Sequence, residues 1–177
     1  KQKTCLDHIL LIGPSGMGKT SLAYVLSTEM NTKIRVINAP MIATIQDLVE
    51  ILASIKENEI FFIDEIHRLD KKLEEILYSV MDDYIINLTY KSEEKTKVIS
   101  IKLPKFTLIG ATTLEGYLSV PLRDRFAIKF HFEPYNEDDL KHILLCNAAK
   151  FNVNFEDEEA PLSFVKRVKN NPRILNN

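Results

Sequence analysis

The sequence predicts an α/β fold with a five-stranded parallel sheet, an inserted β-hairpin and a small helical lid. Short apolar runs alternate with helical patterns along most of the 177 residues, which is typical of parallel βα units. One stretch breaks this rhythm with a two-residue alternation around a polar turn, which indicates the hairpin. We therefore expect an α/β core at residues 1–134 with the hairpin at 85–103, followed by a helical lid at 135–177.

Each strand and helix is predicted from its own pattern. Core strands are expected at residues 8–13, 34–39, 59–63, 106–111 and 128–132. Helices are expected at 18–30, 44–57, 70–84 and 136–151. Thr44 and Asp47 have the spacing of a capping box, and Asp70 and Asn136 are expected to cap their helices. Two short helices broken at Pro172 should complete the lid.

The bulk composition excludes several classes of function. The formal net charge is −2, so no strong global attraction to nucleic acid or to an anionic membrane is expected. The two cysteines, Cys5 and Cys146, lie far apart in the chain, which argues against a disulfide framework or a zinc site. The apolar runs are too short to span a bilayer, and nothing resembles a secretory signal. We expect a cytoplasmic protein without a membrane partner.

The strongest chemical signal is GPSGMGKT at residues 13–20, a full match to the pattern GxxxxGK[ST]. A predicted strand precedes it and a predicted helix follows it, as a phosphate-binding loop requires. Backbone N–H groups of such a loop surround phosphate, and the helix N-terminus adds a positive dipole. Lys19 would reach the β- and γ-phosphates of ATP, and the Thr20 hydroxyl would bind Mg²⁺. The expected nucleotide-binding residues of this segment are Gly13, Pro14, Ser15, Gly16, Met17, Gly18, Lys19, Thr20 and Ser21.

Two acidic residues, Asp64 and Glu65, directly follow the apolar run EIFFI of the third predicted strand. A carboxylate at the carboxyl end of a buried parallel strand is expected beside the phosphate-binding loop. Asp64 would bind Mg²⁺, directly or through water, and Glu65 would orient and polarise the attacking water. Without the loop motif, the same pair would be equally well explained as a polar strand end.

Polar side chains also follow the fourth predicted strand and precede the fifth. Thr112 and Thr113 end the fourth strand, where a hydroxyl could touch the γ-phosphate or the water. Arg123 and Arg125 lie in PLRDRF, in a loop before the fifth strand. One interpretation is a solvated arginine pair bonded to Asp124. The other is an arginine finger that acts on the ATP of a neighbouring subunit.

Three further features are less specific. Arg173 follows Pro172 and would by itself be a surface arginine. His67 resembles a catalytic base, but we expect a structural role because Glu65 suits the base role better. The apolar residues of the hairpin are either core or an interaction surface, with two of them, Leu88 and Ile99, expected to point outward. The hairpin residues in question are Ile85, Ile86, Leu88 and Ile99.

In their order along the chain, these motifs resemble the RuvB family of AAA+ ATPases, the bacterial motors of Holliday-junction branch migration. The resemblance extends from about residue 6 to residue 177 and rests on HILLIGPSGMGKTSLA, IFFIDEIHRL, EEILYSVMDDY, FTLIGATT and VPLRDRF. It implies an AAA+ P-loop NTPase that uses ATP and Mg²⁺ in DNA recombination and repair. By this resemblance, Thr113 rather than Thr112 is the sensor residue, Arg125 is the arginine finger, and Arg173 is a nucleotide-binding arginine of the lid.

The resemblance also implies partners. Members of the family form rings, so we expect self-association, with a hexamer favoured, in the full-length protein. The hairpin at 85–103 matches the element that docks on the partner RuvA. The family's N-terminal adenine-binding segment and its C-terminal winged-helix domain are not among these residues. We therefore expect a fragment or a shortened member, whose contacts with Holliday-junction DNA lie mainly in that absent C-terminal domain.

Four positions depart from the family pattern. Ser15 and Met17 replace a proline and a leucine of the loop, which should be tolerated because the loop binds through its backbone. Ala127 replaces the glycine that follows PLRDRF in the family. Leu114 stands where the family has an arginine, so no role is carried to that position.

Two other functions compete with a ring-forming motor. A small-molecule P-loop kinase would need an acceptor pocket, and it does not explain the acidic pair together with PLRDRF. A non-hydrolysing assembly module, such as a clamp-loader-type subunit, needs neither Glu65 nor Arg125. The motor is therefore the favoured function.

Overall fold

A computed structural model describes residues 5–92 and 95–150, together with positions 152, 153, 155, 163, 165 and 172–175. The chain divides into two compact units, Lys1–Ile12 with Thr20–Phe130 and Gly13–Lys19 with His131–Asn177. The expected domain boundary between residues 134 and 135 stays a prediction. In chain order, the elements are β1 (Ile9–Ile12), α1 (Lys19–Glu29), β2 (Ile34–Asn38), α2 (Ile45–Ala53), β3 (Ile60–Asp64), α3 (Lys71–Asp83), β4 (Ile85–Ser92), β5 (Lys95–Lys102), β6 (Thr107–Thr112), α4 (Val120–Asp124), β7 (Ile128–His131), α5 (Glu137–Lys150) and α6 (Pro172–Leu175).

Five strands form one sheet in the order β2-β3-β6-β1-β7, which confirms the predicted α/β class. Strand β3 pairs in parallel with both β2 and β6, and β6 pairs in parallel with β1. Every residue of β1 and β6 is buried, as expected for strands that read as continuous apolar runs. Parallel pairing brings the carboxyl ends of β3 and β6 to one edge of the sheet. Asp64 and Thr112, the last residues of these two strands, therefore share that edge.

One continuous apolar cluster joins one face of the sheet to α2 and α3. Leu10, Phe61 and Leu108 contribute from three neighbouring strands, and Leu52 and Leu77 contribute from the two helices. All five side chains are fully buried. Burial of a leucine or phenylalanine side chain stabilises a fold by roughly 1.5–3 kcal/mol, so this cluster gives the sheet edge a rigid support.

The predicted caps are confirmed. The N–H of Asp47 donates to Thr44 Oγ1 at 3.1 Å, and the N–H of Thr44 donates to Asp47 Oδ2 at 2.8 Å, which completes the capping box of α2. Asp70 Oδ1 accepts the N–H of Lys72 at the start of α3. Asn136 Oδ1 accepts an N–H in the first turn of α5. Each cap satisfies N–H groups that the helix itself cannot bond.

The second predicted helix is four residues too long at its C-terminus. It ends at Ala53, because the N–H of Ile55 bonds to the carbonyl of Leu52 in a tighter turn. The N–H of Lys56 then donates to Glu59 Oε2 at 2.8 Å, which fixes the turn into β3. The Glu59 carboxylate thus bonds a backbone N–H that a longer helix would have used.

The PLRDRF segment is partly helical, which corrects its prediction as a loop. Ser119 caps α4 by accepting the N–H of Leu122 at 3.4 Å, and Pro121 lies in the first turn, where proline needs no N–H partner. Arg123 lies within this short helix and Arg125 is its C-cap. The serine and proline were available as a helix-start signal in the sequence.

Part of the hairpin of β4 and β5 packs against the core, and part of it is exposed to solvent. Ile86 is fully buried, and Leu88 packs against the core beside it. The prediction that Leu88 points outward is therefore wrong. Val98 and Ile99 are exposed, at 63% and 54%. Leu88 and Ile99 are directly opposite each other on the two strands. At this position, β4 therefore contacts the core and β5 does not.

His8 is a buried structural residue to which the sequence assigns no role. Its Nδ1 accepts the N–H of Leu108 at 2.9 Å, so the ring proton lies on Nε2, which donates to the carbonyl of Met81 at 3.2 Å. Burial is the largest cause that lowers the pKa of His8 below its ordinary value of 6.5. Protonation of Nδ1 would also remove the acceptor that Leu108 needs.

We predict a pH dependence of stability that depends on His8. Because the folded-state pKa lies below the unfolded value, the stabilisation is complete above about pH 6.5 and is lost as the pH falls below it. The free energy of unfolding should fall by up to about 1.4 kcal/mol per pH unit from this group. Urea unfolding at pH 7.5, 6.5 and 5.5 measures it. His8→Gln should flatten the slope, whereas His131→Gln, at an exposed position, should not; equal slopes in all three proteins would contradict the prediction.

The second unit has a small core of its own. Leu140 of α5 and Val165 are buried together, and Tyr135 packs against them. Helix α6 begins at Pro172 rather than after it, as proline favours the first helical position. The other predicted short helix of the lid falls almost wholly outside the described residues. No helix among the described residues is long and apolar enough to cross a membrane.

Candidate functional site

The segment 13–19 adopts a backbone that glycine permits. Gly18 has a φ of +89°, a conformation that other residues rarely adopt. At Gly13, a Cβ atom would lie 2.7 Å from both Cβ and O of Phe132, so no larger residue fits there. Gly13 and Gly18 of the sequence motif are therefore required by the local structure.

Lys19 is folded back onto the same loop. Its Nζ donates to the carbonyl oxygens of Gly13 at 2.7 Å and Pro14 at 2.8 Å, and the residue is only 6% exposed. A buried ammonium group needs such partners, because its desolvation is otherwise costly. The arrangement holds a positive charge inside a loop whose glycines allow close approach of a ligand to the backbone.

Two residues of the second unit contact this loop. Arg173 Nη1 donates to Ser15 Oγ at 3.3 Å, so the structure places the predicted lid arginine at the predicted loop. The Tyr135 hydroxyl donates to the carbonyl of Met17 at 3.3 Å. Sequence reasoning missed Tyr135, since a tyrosine after a strand carries no distinctive pattern.

One residue of the acidic pair, Glu65, has an unusual backbone conformation. Asp64 ends β3, and Glu65 follows with φ 51° and ψ 42°, in the left-handed region. Asp64 Oδ1 accepts the N–H of Glu65 at 3.0 Å. A non-glycine residue in this region is strained by roughly 1–3 kcal/mol, and such strain is concentrated at functional sites.

A polar network surrounds the Glu65 carboxylate. Its Oε2 accepts the Thr113 hydroxyl at 3.2 Å and lies 3.3 Å from Nδ1 of His67. The same Nδ1 lies 2.9 Å from Thr112 Oγ1, which also accepts the N–H of Leu114 at 3.0 Å. Thr112 is therefore used within the fold, whereas Thr113 faces the carboxylate.

The network can fix one orientation of a carboxylate and keep it available to solvent. The Glu65 side chain is 28% exposed, and the His67 side chain is 9% exposed. A carboxylate held in this way suits proton acceptance from a water molecule. The contacts also give His67 a structural position, as expected from the sequence.

Thr20 and Ser21 lie in the first turn of α1, where Thr20 is half-buried and Ser21 is exposed. The Thr20 hydroxyl and the Asp64 carboxylate are hard oxygen donors of the kind that Mg²⁺ prefers. Among the described residues, no group of three or more histidine, cysteine, aspartate or glutamate side chains could hold a metal ion by itself. A Mg²⁺ ion bound by one or two side chains and by phosphate oxygens fits this donor set.

Arg125 is paired within the chain, but with a different residue from the one considered in the sequence. Its Nε and Nη2 both lie 2.9 Å from Asp82 Oδ2, and its Nη1 donates to the carbonyl of Pro121 at 2.8 Å. The guanidinium carbon lies 4.7 Å from the ring centre of Tyr78. The interpretation of a pair bonded to Asp124 is replaced by an ion pair with Asp82 of α3.

Comparison with known proteins shows consistent similarities. The family model of the Holliday junction DNA helicase RuvB P-loop domain matches residues 1–132. The chain is similar to the Holliday junction branch migration complex subunit RuvB of Campylobacter jejuni, with 49% identity over 98% of the chain and 52% of that protein. The Staphylococcus haemolyticus subunit is 44% identical over 97% of the chain and 51% of that protein. The chain thus spans about half the length of the curated relatives it matches.

Solved structures give the same result. The Thermotoga maritima RuvB Holliday junction branch migration motor is 38% identical, with a TM-score of 0.83, over 97% of this chain and 52% of that chain. A mutant of the same protein has a TM-score of 0.86 at the same identity. Identity at this level with nearly complete coverage of the chain indicates common ancestry as well as a common fold.

Proposed function

The chain belongs to the family of the Holliday junction DNA helicase RuvB P-loop domain, and on this premise we propose that it binds and hydrolyses ATP as the motor of a branch-migration helicase. The observation that carries the proposal is the Glu65 carboxylate, held in a strained backbone between Thr113 and His67. A module that only binds nucleotide has no need of an oriented carboxylate at this position. The family and the relatives also favour a motor over the clamp-loader-type alternative.

Phosphate binding is assigned to the loop. Its backbone N–H groups and the Lys19 ammonium neutralise the β- and γ-phosphates of ATP, and Ser21 follows at the helix start. Lys19 exchanges its present carbonyl partners, Gly13 and Pro14, for phosphate oxygens. Arg173 contacts the loop at Ser15 and supplies a second positive charge to the nucleotide.

The hydrolytic step is assigned to the sheet edge. Thr20 and Asp64 would hold Mg²⁺, which neutralises charge on the phosphates when it is bound. Glu65 orients the attacking water and accepts its proton, and Thr113 keeps the carboxylate in place as the sensor residue. Thr113 is 3.2 Å from Glu65, whereas Thr112 bonds elsewhere, which supports the choice between them.

Partners follow from the same proposal. The protein assembles into a ring, with a hexamer favoured, in which Arg125 serves the ATP of the neighbouring subunit. Holliday-junction DNA is contacted mainly by a C-terminal domain outside this sequence, and the hairpin docks on RuvA. This role in DNA recombination and repair places the protein in the bacterial cytoplasm.

Glu65→Gln tests the proposed function. The variant should bind Mg-ATP with the parent affinity and hydrolyse it about a hundredfold or more slowly, because the amide keeps the shape but cannot accept a proton. Phosphate release and nucleotide titration measure the two properties. Glu57→Gln, at an exposed position, is the matched control and should be unaffected. Hydrolysis by Glu65→Gln at the parent rate would show that another group activates the water.

We predict that the two exposed apolar residues of the hairpin, Val98 and Ile99, contribute to RuvA binding. Val98→Ser combined with Ile99→Ser should weaken RuvA binding about tenfold or more, since the loss of apolar burial costs about 1–2 kcal/mol per side chain. ATP affinity should be unchanged. Met41→Ser removes an apolar side chain that is 74% exposed elsewhere in the first unit and should leave both affinities intact. Unchanged RuvA affinity in a folded double variant would place the docking surface elsewhere.

A further inference from the structure

The side chain of Arg125 is held by a set of contacts that orient it in three dimensions. Asp82 Oδ2 accepts the Nε N–H at 2.9 Å and lies 2.9 Å from Nη2. The carbonyl of Pro121 accepts Nη1 at 2.8 Å, and the ring of Tyr78 lies below the guanidinium at 4.7 Å. An arginine side chain has many rotamers, so contacts on its edge and its face together select one of them.

The contacts leave part of the donor set of the guanidinium unused. Arginine carries five N–H groups in a planar fork. Asp82 and Pro121 engage at most one N–H of each nitrogen, so at least one N–H on Nη1 and one on Nη2 remain for another acceptor. The Arg125 side chain is 28% exposed, so it is partly accessible to an acceptor from outside the chain. Two adjacent N–H groups suit bidentate recognition of phosphate oxygens.

The supporting residues are themselves fixed. Tyr78 and Asp82 lie one helical turn apart on α3 and therefore on the same face. The Tyr78 hydroxyl lies 2.8 Å from Ser119 Oγ, and Ser119 caps α4, the helix that ends at Arg125. Because α4 is only five residues long, it depends on such contacts to keep its position.

We propose that Asp82 is the positioning residue of the arginine finger, holding the Nε edge of Arg125 so that the Nη edge is presented to the neighbouring subunit's nucleotide. This inference rests on the proposed function of Arg125. An exposed ion pair contributes little to stability, and Asp82 is 48% exposed. The ion pair therefore serves mainly to orient the guanidinium group of Arg125.

The test compares kcat, KM for ATP and ring assembly in the full-length, assembling protein. Asp82→Ala should lower kcat about tenfold or more and leave KM and assembly within about twofold, since only orientation in the transition state is lost. Asp82→Glu should restore much of the rate. Asp83→Ala, which removes the same charge at the next, exposed position of α3, should stay within about twofold of the parent.

A double variant separates positioning from a general structural role. Asp82→Ala combined with Arg125→Ala should be no slower than Arg125→Ala alone, because Asp82 acts only through the arginine. The proposal is overturned if the double variant is slower still, or if Asp82→Ala hydrolyses ATP at or above the parent rate while Arg125→Ala is slow. Full activity of Arg125→Ala would instead reject the arginine finger itself, and the positioning role with it.

Discussion

Arg125→Ala should bind ATP almost normally and hydrolyse it about a thousandfold or more slowly. In the proposed function the guanidinium stabilises charge on the γ-phosphate as the bond breaks, so its loss should affect kcat far more than nucleotide affinity. The structure adds that the Arg125 side chain is bonded to Asp82 and packs on the ring of Tyr78. Phosphate release at saturating Mg-ATP, in a form of the protein that assembles, measures the effect.

Arg123→Ala is the matched control for this prediction. Arg123 belongs to the same short helix and carries the same charge, but it lies within α4 rather than at its C-cap. We expect Arg123→Ala to retain most of the activity. The assignment would be reversed if Arg123→Ala were the slow variant, and it would be rejected if Arg125→Ala were fully active.

Lys19→Ala should abolish measurable nucleotide binding. Hydrogen bonds to charged groups contribute about 1.5–3 kcal/mol each, so the loss of two phosphate contacts weakens binding by about a hundredfold or more. In addition, the loop loses the bonds that Nζ makes to Gly13 and Pro14. Titration with a fluorescent ATP analogue measures the affinity.

Lys33→Ala, at an exposed position, is the control for removing one lysine and should bind ATP as the parent does. Near-parent affinity in Lys19→Ala would reject the loop as the phosphate site. Mixing Lys19→Ala with Arg125→Ala provides a further check in rings. Some interfaces then pair an intact loop with an intact arginine, so part of the activity should return.

The main features of the fold are predictable because each depends on residues that are close together in the sequence. The apolar runs of the buried strands and the caps Thr44, Asp70 and Asn136 each depend on a few neighbouring residues. The GPSGMGKT loop is likewise recognised from its own glycines and lysine. Such features require no knowledge of distant partners.

Contacts between distant residues are not predictable in this way. Arg125 and Asp82 are 43 positions apart, and no sequence pattern links them, so the adjacent Asp124 seemed the natural partner. The same holds for Tyr135 and Met17, which are 118 positions apart. A pairing of this kind depends on how α3 packs beside α4, which only the structure shows.

The hairpin illustrates the limit of periodicity. Alternation assigns residues to one of two faces, but it does not tell how far along the strands the core extends. Leu88 and Ile99 are directly opposed, yet only Leu88 packs against the core.

The most direct test of ATP hydrolysis by this chain is a measurement of where the γ-phosphate goes. The parent protein, with Mg²⁺ and radiolabelled ATP, is assayed with and without small hydroxyl acceptors such as nucleosides and sugars. We predict that the label appears as inorganic phosphate, that chelation of Mg²⁺ stops its release, and that no acceptor becomes labelled. Transfer of the label to an acceptor would instead show a kinase, and tight ATP binding without release, even in assembled rings, would show a non-hydrolysing module.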